Sequence, residues 1–354
     1  MDLRTYTTAD GRDAWEEAAR RLRADAYFLP GYAAAHEAIG DGEAVAFHAA
    51  DGPREGLEVV MVRPLNGLEF LAGDVAGLRD AASAYGYGGP FFNDAARGDV
   101  GFVDRFHAAL AGWCRGQRIV ARFVRFHPLL DNHVGAEPHM AVDERQPTVF
   151  IDLAGDDDPG AGFRATARRH VRHAVAAGLA FREPPAPSGL EAFHRLYDAT
   201  MRRVGARPYY FFPRRYYEML AEGLGPRLRL FGVLLEDHLA AAGLFLVGPE
   251  WAHYHLGASD EALLALSPNN LLFHGAAAEA KRLGCRRLHL GGGLSEGDSL
   301  YQFKRSLSRG EARFRSGRQV LDAAAYAALV AEWERWTGAR ADPAGYFPAY
   351  RAGT

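Results

Sequence analysis

The sequence predicts an α/β protein of two domains, each a mixed, largely antiparallel sheet flanked by helices, followed by a C-terminal helix. Three observations predict it. The chain of 354 residues is too long for one ordinary core and suits two domains of roughly 150 residues each. Both halves contain segments with apolar residues at helical spacing and segments in which apolar and polar residues alternate. Both halves also run through the same order: helices, an antiparallel run of strands, a loop, a helix and a further strand. No repeat is visible letter by letter, so the likeness of the halves is one of architecture.

In the first half, "DAWEEAARRLRADAYFLPGYAAAHEAI" carries helical periodicity interrupted at Pro30 and reads as two helices. "EAVAFHAAD" and "LEVVMVRPL", joined by the polar "DGPREG", read as an antiparallel hairpin. "YGYGGPFFN" sets glycines and a proline among aromatics as a loop, "DVGFVDRFHAALAGWCRGQ" is a helix and "RIVARFVRFHP" a strand. A boundary is expected in the aperiodic "DNHVGAEPHMAVDERQ", which divides the chain into residues 1–145, 146–318 and a C-terminal helix and tail, 319–354. In the second part, "TVFIDLAG" opens as a strand, and "GFRATARRHVRHAVAAGL" is a helix closed by Gly178. "LEAFHRLYDATMRRVGARPYYFFPRRYYEMLAEGL" gives two helices around an aromatic-arginine turn, and "LRLFGVLL", "HLAAAGLFLVG" and "WAHYHLGAS" are three strands. "NNLLFHGAAAEAKRLG" is a helix with Asn269 or Asn270 as its N-cap, "CRRLHLGGG" a strand, "QVLDAAAYAALVAEWERWTGA" a last helix and "DPAGYFPAYRAGT" surface chain.

Composition removes several function classes. At 48% hydrophobic and 24% charged, the chain reads as soluble and globular. Its formal charge of -3 means that any nucleic-acid contact must use a local basic patch, and nothing points to DNA. Cys114 and Cys285 stand far apart in no CxxC or Cys/His spacing, so neither a disulfide framework nor a zinc site is expected, and a reducing, cytoplasmic setting fits. The N-terminal segment lacks a signal-like apolar run, and no stretch approaches a membrane span. The histidines follow no HExxH spacing and no GxSxG occurs, so no metal and no serine nucleophile are expected.

One short stretch stands out. Of 41 basic residues only Lys281 and Lys304 are lysines, and Lys304 lies in "DSLYQFKRSLSRG", just after Gly291-Gly292-Gly293. Together with "WAHYHLGAS" and "SPNNLLFHGAAAEAKRLGCRRLHLGGG", this region resembles the Fem-type (FemABX-like) branch of the GNAT superfamily, in which tandem GNAT domains typically pass an amino acid from aminoacyl-tRNA to an amine of a peptidoglycan precursor. "RATARRHVRHAVAAGL" resembles the basic helix that opens the second domain in that branch. The resemblance implies two tandem GNAT-like domains, the first on the acceptor side and the second on the donor side, with aminoacyl-tRNA as co-substrate and no resident cofactor. The cell-wall members hold nucleotide-sugar phosphates with basic groups that include lysine in the first domain. Here no lysine precedes Lys281, which turns the expected acceptor toward a small-molecule or peptide amine.

The chemistry then names candidates. Attack of an amine on the tRNA ester builds negative charge on one oxygen, so a positioned cation is the main requirement. Lys304 suits that role because an ammonium is a compact point charge, and the alternative for it is a solvated helix residue. The resemblance implies that duty, or contact with the terminal adenosine, for the matching lysine, with Phe303 stacking there. Tyr254 either hydrogen-bonds the transferred group or packs the core. Arg164, Arg168, Arg169 and Arg172 grip tRNA phosphates or simply face solvent. Asn270 and Gly292 complete the donor set, the glycine by letting backbone pass close to substrate or to a neighbouring strand. Tyr85, Tyr87 and Phe92 form an acceptor pocket or a packed turn, and Arg207 and Tyr210 on the aromatic-arginine turn join the acceptor set. The Arg/Gln-x-x-Gly-x-Gly/Ala loop with which acetyl-CoA-dependent members wrap pyrophosphate is absent from "LSPNNLLFHG" and from "AYGYGGPFFNDAARG". The expected activity is amide-bond formation by an aminoacyltransferase. The competing readings are an N-acyltransferase using acyl-CoA, a cell-wall precursor aminoacyltransferase, and a binding protein that has lost donor chemistry.

Overall fold

The computed structural model describes residues 1–71, 75, 77–155, 158–185, 187–293, 295 and 297–353. They divide into two compact units, the first formed by Met1–Arg23, Tyr27–Arg145 and Phe314–Thr354, the second by Ala24–Ala26 and Gln146–Arg313. None of the described helices is long and apolar enough to cross a membrane.

The chain begins with β1 (Asp2–Thr7), α1 (Arg12–Arg21), α2 (Pro30–Glu37), β2 (Glu43–Asp51), β3 (Arg54–Pro64), β4 (Arg79–Ala82), the two-residue β5 (Phe91–Phe92), α3 (Asp94–Arg97), α4 (Val100–Gly116) and β6 (Ile119–Arg125). It continues through β7 (Ala141–Asp152), α5 (Ala165–Ala176), β8 (Leu179–Arg182), α6 (Ser188–Arg203), α7 (Arg214–Leu224), β9 (Leu228–Leu235), β10 (His238–Val247), β11 (Trp251–Ser259), α8 (Pro268–Arg282), β12 (Arg287–Gly291) and α9 (Ser299–Leu307). It closes with β13 (Gly310–Val320) and α10 (Ala323–Thr337). Pro30 takes the first position of α2, where its missing N–H costs nothing. Asp99, Asp298 and Asp322 cap α4, α9 and α10 by accepting backbone N–H bonds from Phe102, Tyr301 and Ala325.

The two units have matching topologies. In the first, the strands run β1-β2-β3-β4-β6-β13, all neighbours antiparallel except β4 and β6, with β5 paired to β3. In the second they run β7-β12-β11-β10-β9-β8, all antiparallel except β12 and β11. Each parallel pair needs a crossover, and a helix supplies it, α4 in the first unit and α8 in the second. Phe102, Phe106 and Leu110 of α4 pack on Phe47, Val60 and Ile119 in the first core. Leu272, Phe273 and Ala276 of α8 pack on Phe245, Ala252 and Leu288 in the second. In that second unit neighbouring residues of β11 serve opposite faces: Tyr254 meets Phe273 of α8 at 4.7 Å between ring centroids, while the Tyr216 hydroxyl of α7 pairs with His255 Nε2 at 2.8 Å.

Several sequence expectations change. Strands β1, β4, β5, β8 and β13 were not expected: β1 is nearly all exposed, β4 and β8 have four residues each, β5 has two, and β13 carries Arg313, Arg315 and Arg318. β7 starts at Ala141, inside the segment read as an aperiodic boundary. Residues 319–354, read as a separate terminal segment, pack in the first unit, where Leu329, Trp333 and Tyr350 join Leu65 and Val120. The tail is surface chain only in part: Pro343, Ala344 and Tyr346 are exposed, but Pro348, Ala349 and Tyr350 are buried, and Arg351 Nε donates to the buried Asp80 carboxylate at 2.5 Å. The N-cap of α8 is Ser267, at φ 62°, and Asn270 lies one turn inside, buried.

Candidate active site

Lys304 is buried in the second unit, 5% exposed, and is not a solvated helix residue. Its Nζ donates to the Gly292 carbonyl at 2.7 Å and sits 5.8 Å from the centroid of the Tyr254 ring, within reach of the ring's negative face. Burial lowers its pKa from 10.5 to about 8, and the Asp298 carboxylate partly opposes that fall. The group thus stays largely protonated at neutral pH in a buried setting, where a charge acts more strongly than in water.

The glycine run makes this arrangement possible. A Cβ on Gly293 would lie 2.2 Å from Asp298 Oδ1, and one on Gly292 would lie 2.9 Å from the Pro147 carbonyl. With hydrogen in those places the loop closes around the start of α9 and turns the Gly292 carbonyl toward the ammonium; Leu294 and Glu296 of the same loop lie outside the described residues. Asp298 holds the helix start through the N–H groups of Ser295 and Tyr301, at 3.0 and 2.7 Å.

Of the other donor-side candidates, Tyr254 stands with Lys304, half-buried against Phe273 and Phe245. Phe303 is half-buried too, with its ring on the core side 5.9 Å from Phe273, so it is no open stacking platform. Asn270 is a buried first-turn residue of α8, its N–H turned back to the Ser267 carbonyl. The basic helix α5 adjoins the lysine helix: the Arg164 N–H donates to the Ser306 carbonyl at 2.8 Å. Ala167 and Ala174 bury one side of α5 and leave Arg164, Arg168, Arg169 and Arg172 exposed. Arg168 is tied to the Phe163 carbonyl, whereas Arg169 and Arg172 form no ion pair among the described residues. Residues 159–182 include no acid, though Asp156-Asp157-Asp158 and Glu183 flank them in sequence.

The acceptor-side candidates divide. In the first unit the Tyr87 ring contacts Tyr27, His127 and Phe314 at 5.6, 5.8 and 5.7 Å, a packed aromatic cluster whose burial raises the Tyr87 hydroxyl pKa. The Tyr85 carbonyl accepts from the Tyr32 hydroxyl, and Arg125 closes the loop by donating to the Gly86 carbonyl at 2.7 Å. Phe92 is largely a core residue, 6% exposed, with its ring 5.0 Å from Phe106 and 6.2 Å from Phe102, and it also lines a small cavity with Pro90, Leu130 and Asn132, from which Tyr85 and Tyr87 are absent. Truncation by Phe92→Ala is expected to cost about 3–5 kcal/mol of stability, measured by denaturant unfolding. In the second unit Arg207 is exposed and Tyr210 half-buried against Tyr209. Sequence reasoning missed the buried pair Asp25 and His253, 3.1 Å apart, because no local pattern joins residues so distant in the chain.

Residues 161–305 match the family model described as an acetyltransferase (GNAT) domain. No curated protein matches the sequence. Among solved structures, FemX is similar with a TM-score of 0.70 at 14% identity, over 93% of this chain and 99% of FemX. L-PGS from Bacillus licheniformis is similar with a TM-score of 0.55 at 13% identity, over 93% of this chain and 97% of that one. The C-terminal domain of a proposed lysylphosphatidylglycerol synthetase from Agrobacterium fabrum is similar with a TM-score of 0.52 at 15% identity, over 90% and 95%. At these identities the likeness is one of fold. Within the second unit, residues 161–305 are thus similar to a GNAT domain, and the chain as a whole is similar in fold to FemX.

Proposed function

We propose that this protein transfers an aminoacyl group from aminoacyl-tRNA to the amine of a small-molecule or peptide acceptor. The observation that carries the reading is the ammonium of Lys304, buried and aimed by the Gly292 carbonyl, on a helix joined to a helix with exposed arginines. The neutral amine attacks the ester carbonyl, the carbonyl oxygen becomes an oxyanion stabilised by Lys304, and collapse forms the amide. The ribose oxygen leaves with a proton, and the amine gives one up. The ester is already activated, so no covalent enzyme intermediate is required. Tyr254 flanks the ammonium, and the exposed arginines of α5 take the tRNA phosphates. The fold likeness to FemX supports this donor.

A second reading, N-acyl transfer from acyl-CoA, is favoured by the description of the matching family model as an acetyltransferase. The start of α8 weighs against it: Pro268 at the first helical position has no N–H to offer a pyrophosphate, and the Ser267 hydroxyl pairs with His170 Nδ1 at 2.9 Å. Equilibrium binding separates the two. Salt-sensitive binding of tRNA with no thermal shift from acetyl-CoA is the expected result. Binding of acetyl-CoA without tRNA overturns the aminoacyl-tRNA reading in favour of the second.

A further inference from the structure

We propose that the core of the first unit binds internal water, about two molecules held among Glu58, His107, Arg122 and Gln319. These four side chains come from four elements, β3, α4, β6 and β13, and all are buried. Period-two spacing sets Glu58 on the face of β3 that carries Val60 and Val62, against α4, where His107 follows Phe106 on the buried side. Arg122 Nη1 reaches across to Glu58 Oε1 at 3.2 Å. Gln319 stands directly opposite Arg122 in the β13–β6 ladder. Its Nε2 donates to the carbonyl of His139, whose ring stacks on His107 at 5.3 Å between centroids.

The hydrogen bonds of this cluster do not close with protein groups alone. Glu58 Oε2, both ring nitrogens of His107, Arg122 Nε and Nη2, and Gln319 Oε1 are buried with no hydrogen-bond partner among the described residues. Leaving such atoms unpaired forfeits their hydration, and folded proteins leave few of them, so six in one place mark a site. Burial, reinforced by the charges of Arg122 and His139, lowers the His107 pKa to about 3, so the ring is neutral and offers one donor and one acceptor. Arg122 Nε and Nη2 add two donor atoms, and Glu58 Oε2, in the carboxylate paired with Arg122, and Gln319 Oε1 add two acceptors. Donor and acceptor atoms therefore balance, and the Glu58–Arg122 pair carries no net charge. An anion here would meet the Glu58 and Gln319 oxygens, a cation would meet the Arg122 N–H groups, and a hydrocarbon would leave every one of these atoms unpaired. Water both donates and accepts, makes about three bonds when buried, and so satisfies the cluster with about two molecules. The inference uses none of the residues around Lys304 and stands or falls independently of the donor.

The test is a crystal structure of the full chain at a resolution that orders buried solvent, with a second crystal soaked in bromide. Expected are about two solvent peaks within the cluster, each within about 3.2 Å of at least two of the named atoms, and no anomalous bromide signal there. Direct pairing of these atoms with protein groups, without a solvent peak between them, overturns the proposal. A bromide peak overturns it too, by making the site one for anions. His107→Leu removes both ring nitrogens and is expected to lose about one of the waters while Arg122 stays paired with Glu58. Solvent peaks unchanged in that variant overturn the part assigned to His107. Should the variant not fold, the wild-type crystals decide alone. Failure of tRNA binding leaves all of these outcomes unchanged, so the two proposals are tested apart.

Discussion

Lys304→Met is expected to lower transfer activity about 10²–10³-fold, the cost of removing one oxyanion-stabilising donor, while making the protein more stable at neutral pH. The stability half follows from linkage. The folded-state pKa of about 8 lies below the ordinary 10.5, so folding disfavours the ammonium. In full, that shift corresponds to about 3 kcal/mol against the native state. The penalty is complete below the folded value and disappears as pH rises from about 8 to about 10.5, where the unfolded chain still holds the proton that the native chain has lost. Methionine removes the charge and keeps the stem, though it leaves the Gly292 carbonyl without its donor at a cost of about 1 kcal/mol. The variant's advantage in urea unfolding should therefore be largest near neutrality and shrink between pH 8 and 10.5. A lysine retained for structure would give the opposite sign, with its loss destabilising at every pH. The same titration predicts that the wild-type rate constant, read as the cationic form's contribution, declines as pH rises through about 8.

The second large effect is expected on tRNA binding. Arg168, Arg169 and Arg172 project from an acid-free helix whose start is bonded to the lysine helix, and replacing all three by alanine removes the patch without touching the buried Ala167 and Ala174. Each arginine that reaches a phosphate adds about one to the salt slope of binding. The triple variant should lose at least about tenfold in affinity, and its binding should depend less steeply on salt. Arg335→Ala with Arg340→Ala, exposed on the C-terminal segment, is the control and should bind as wild type.

Much of this was legible in the sequence. Alternation and helical spacing placed most elements, and the order of segments in the two halves anticipated their matching topologies. Lys304 stood out because a chain this rich in arginine keeps an ammonium where a small charge is needed. Its burial was not legible, because "YQFKRSLSR" reads equally well as a solvated helix and only the folded chain brings the Gly292 carbonyl and the Tyr254 ring to the side chain. Phe92 was only half legible: a two-residue pairing with Gly56 and Leu57 turns its ring into the core, while one edge still lines a small cavity beside Pro90. Asn270 lost the capping role because Ser267 adopts a left-handed conformation and starts the helix at Pro268. Strand β13 escaped because its arginines are satisfied by partners far away in sequence, as Arg318 is by Asp143 and Arg315 by Glu144.

The central claim is that Lys304 serves transfer of an aminoacyl group from tRNA. The most direct measurement is single-turnover reaction of radiolabelled aminoacyl-tRNA with a panel of amines, comparing wild type with Lys304→Met and running acetyl-CoA in parallel. Amide formation from the tRNA ester, lost in the variant and absent with acetyl-CoA, is the predicted result. Label transferred from acetyl-CoA alone, or undiminished aminoacyl transfer by a folded Lys304→Met protein, would contradict it.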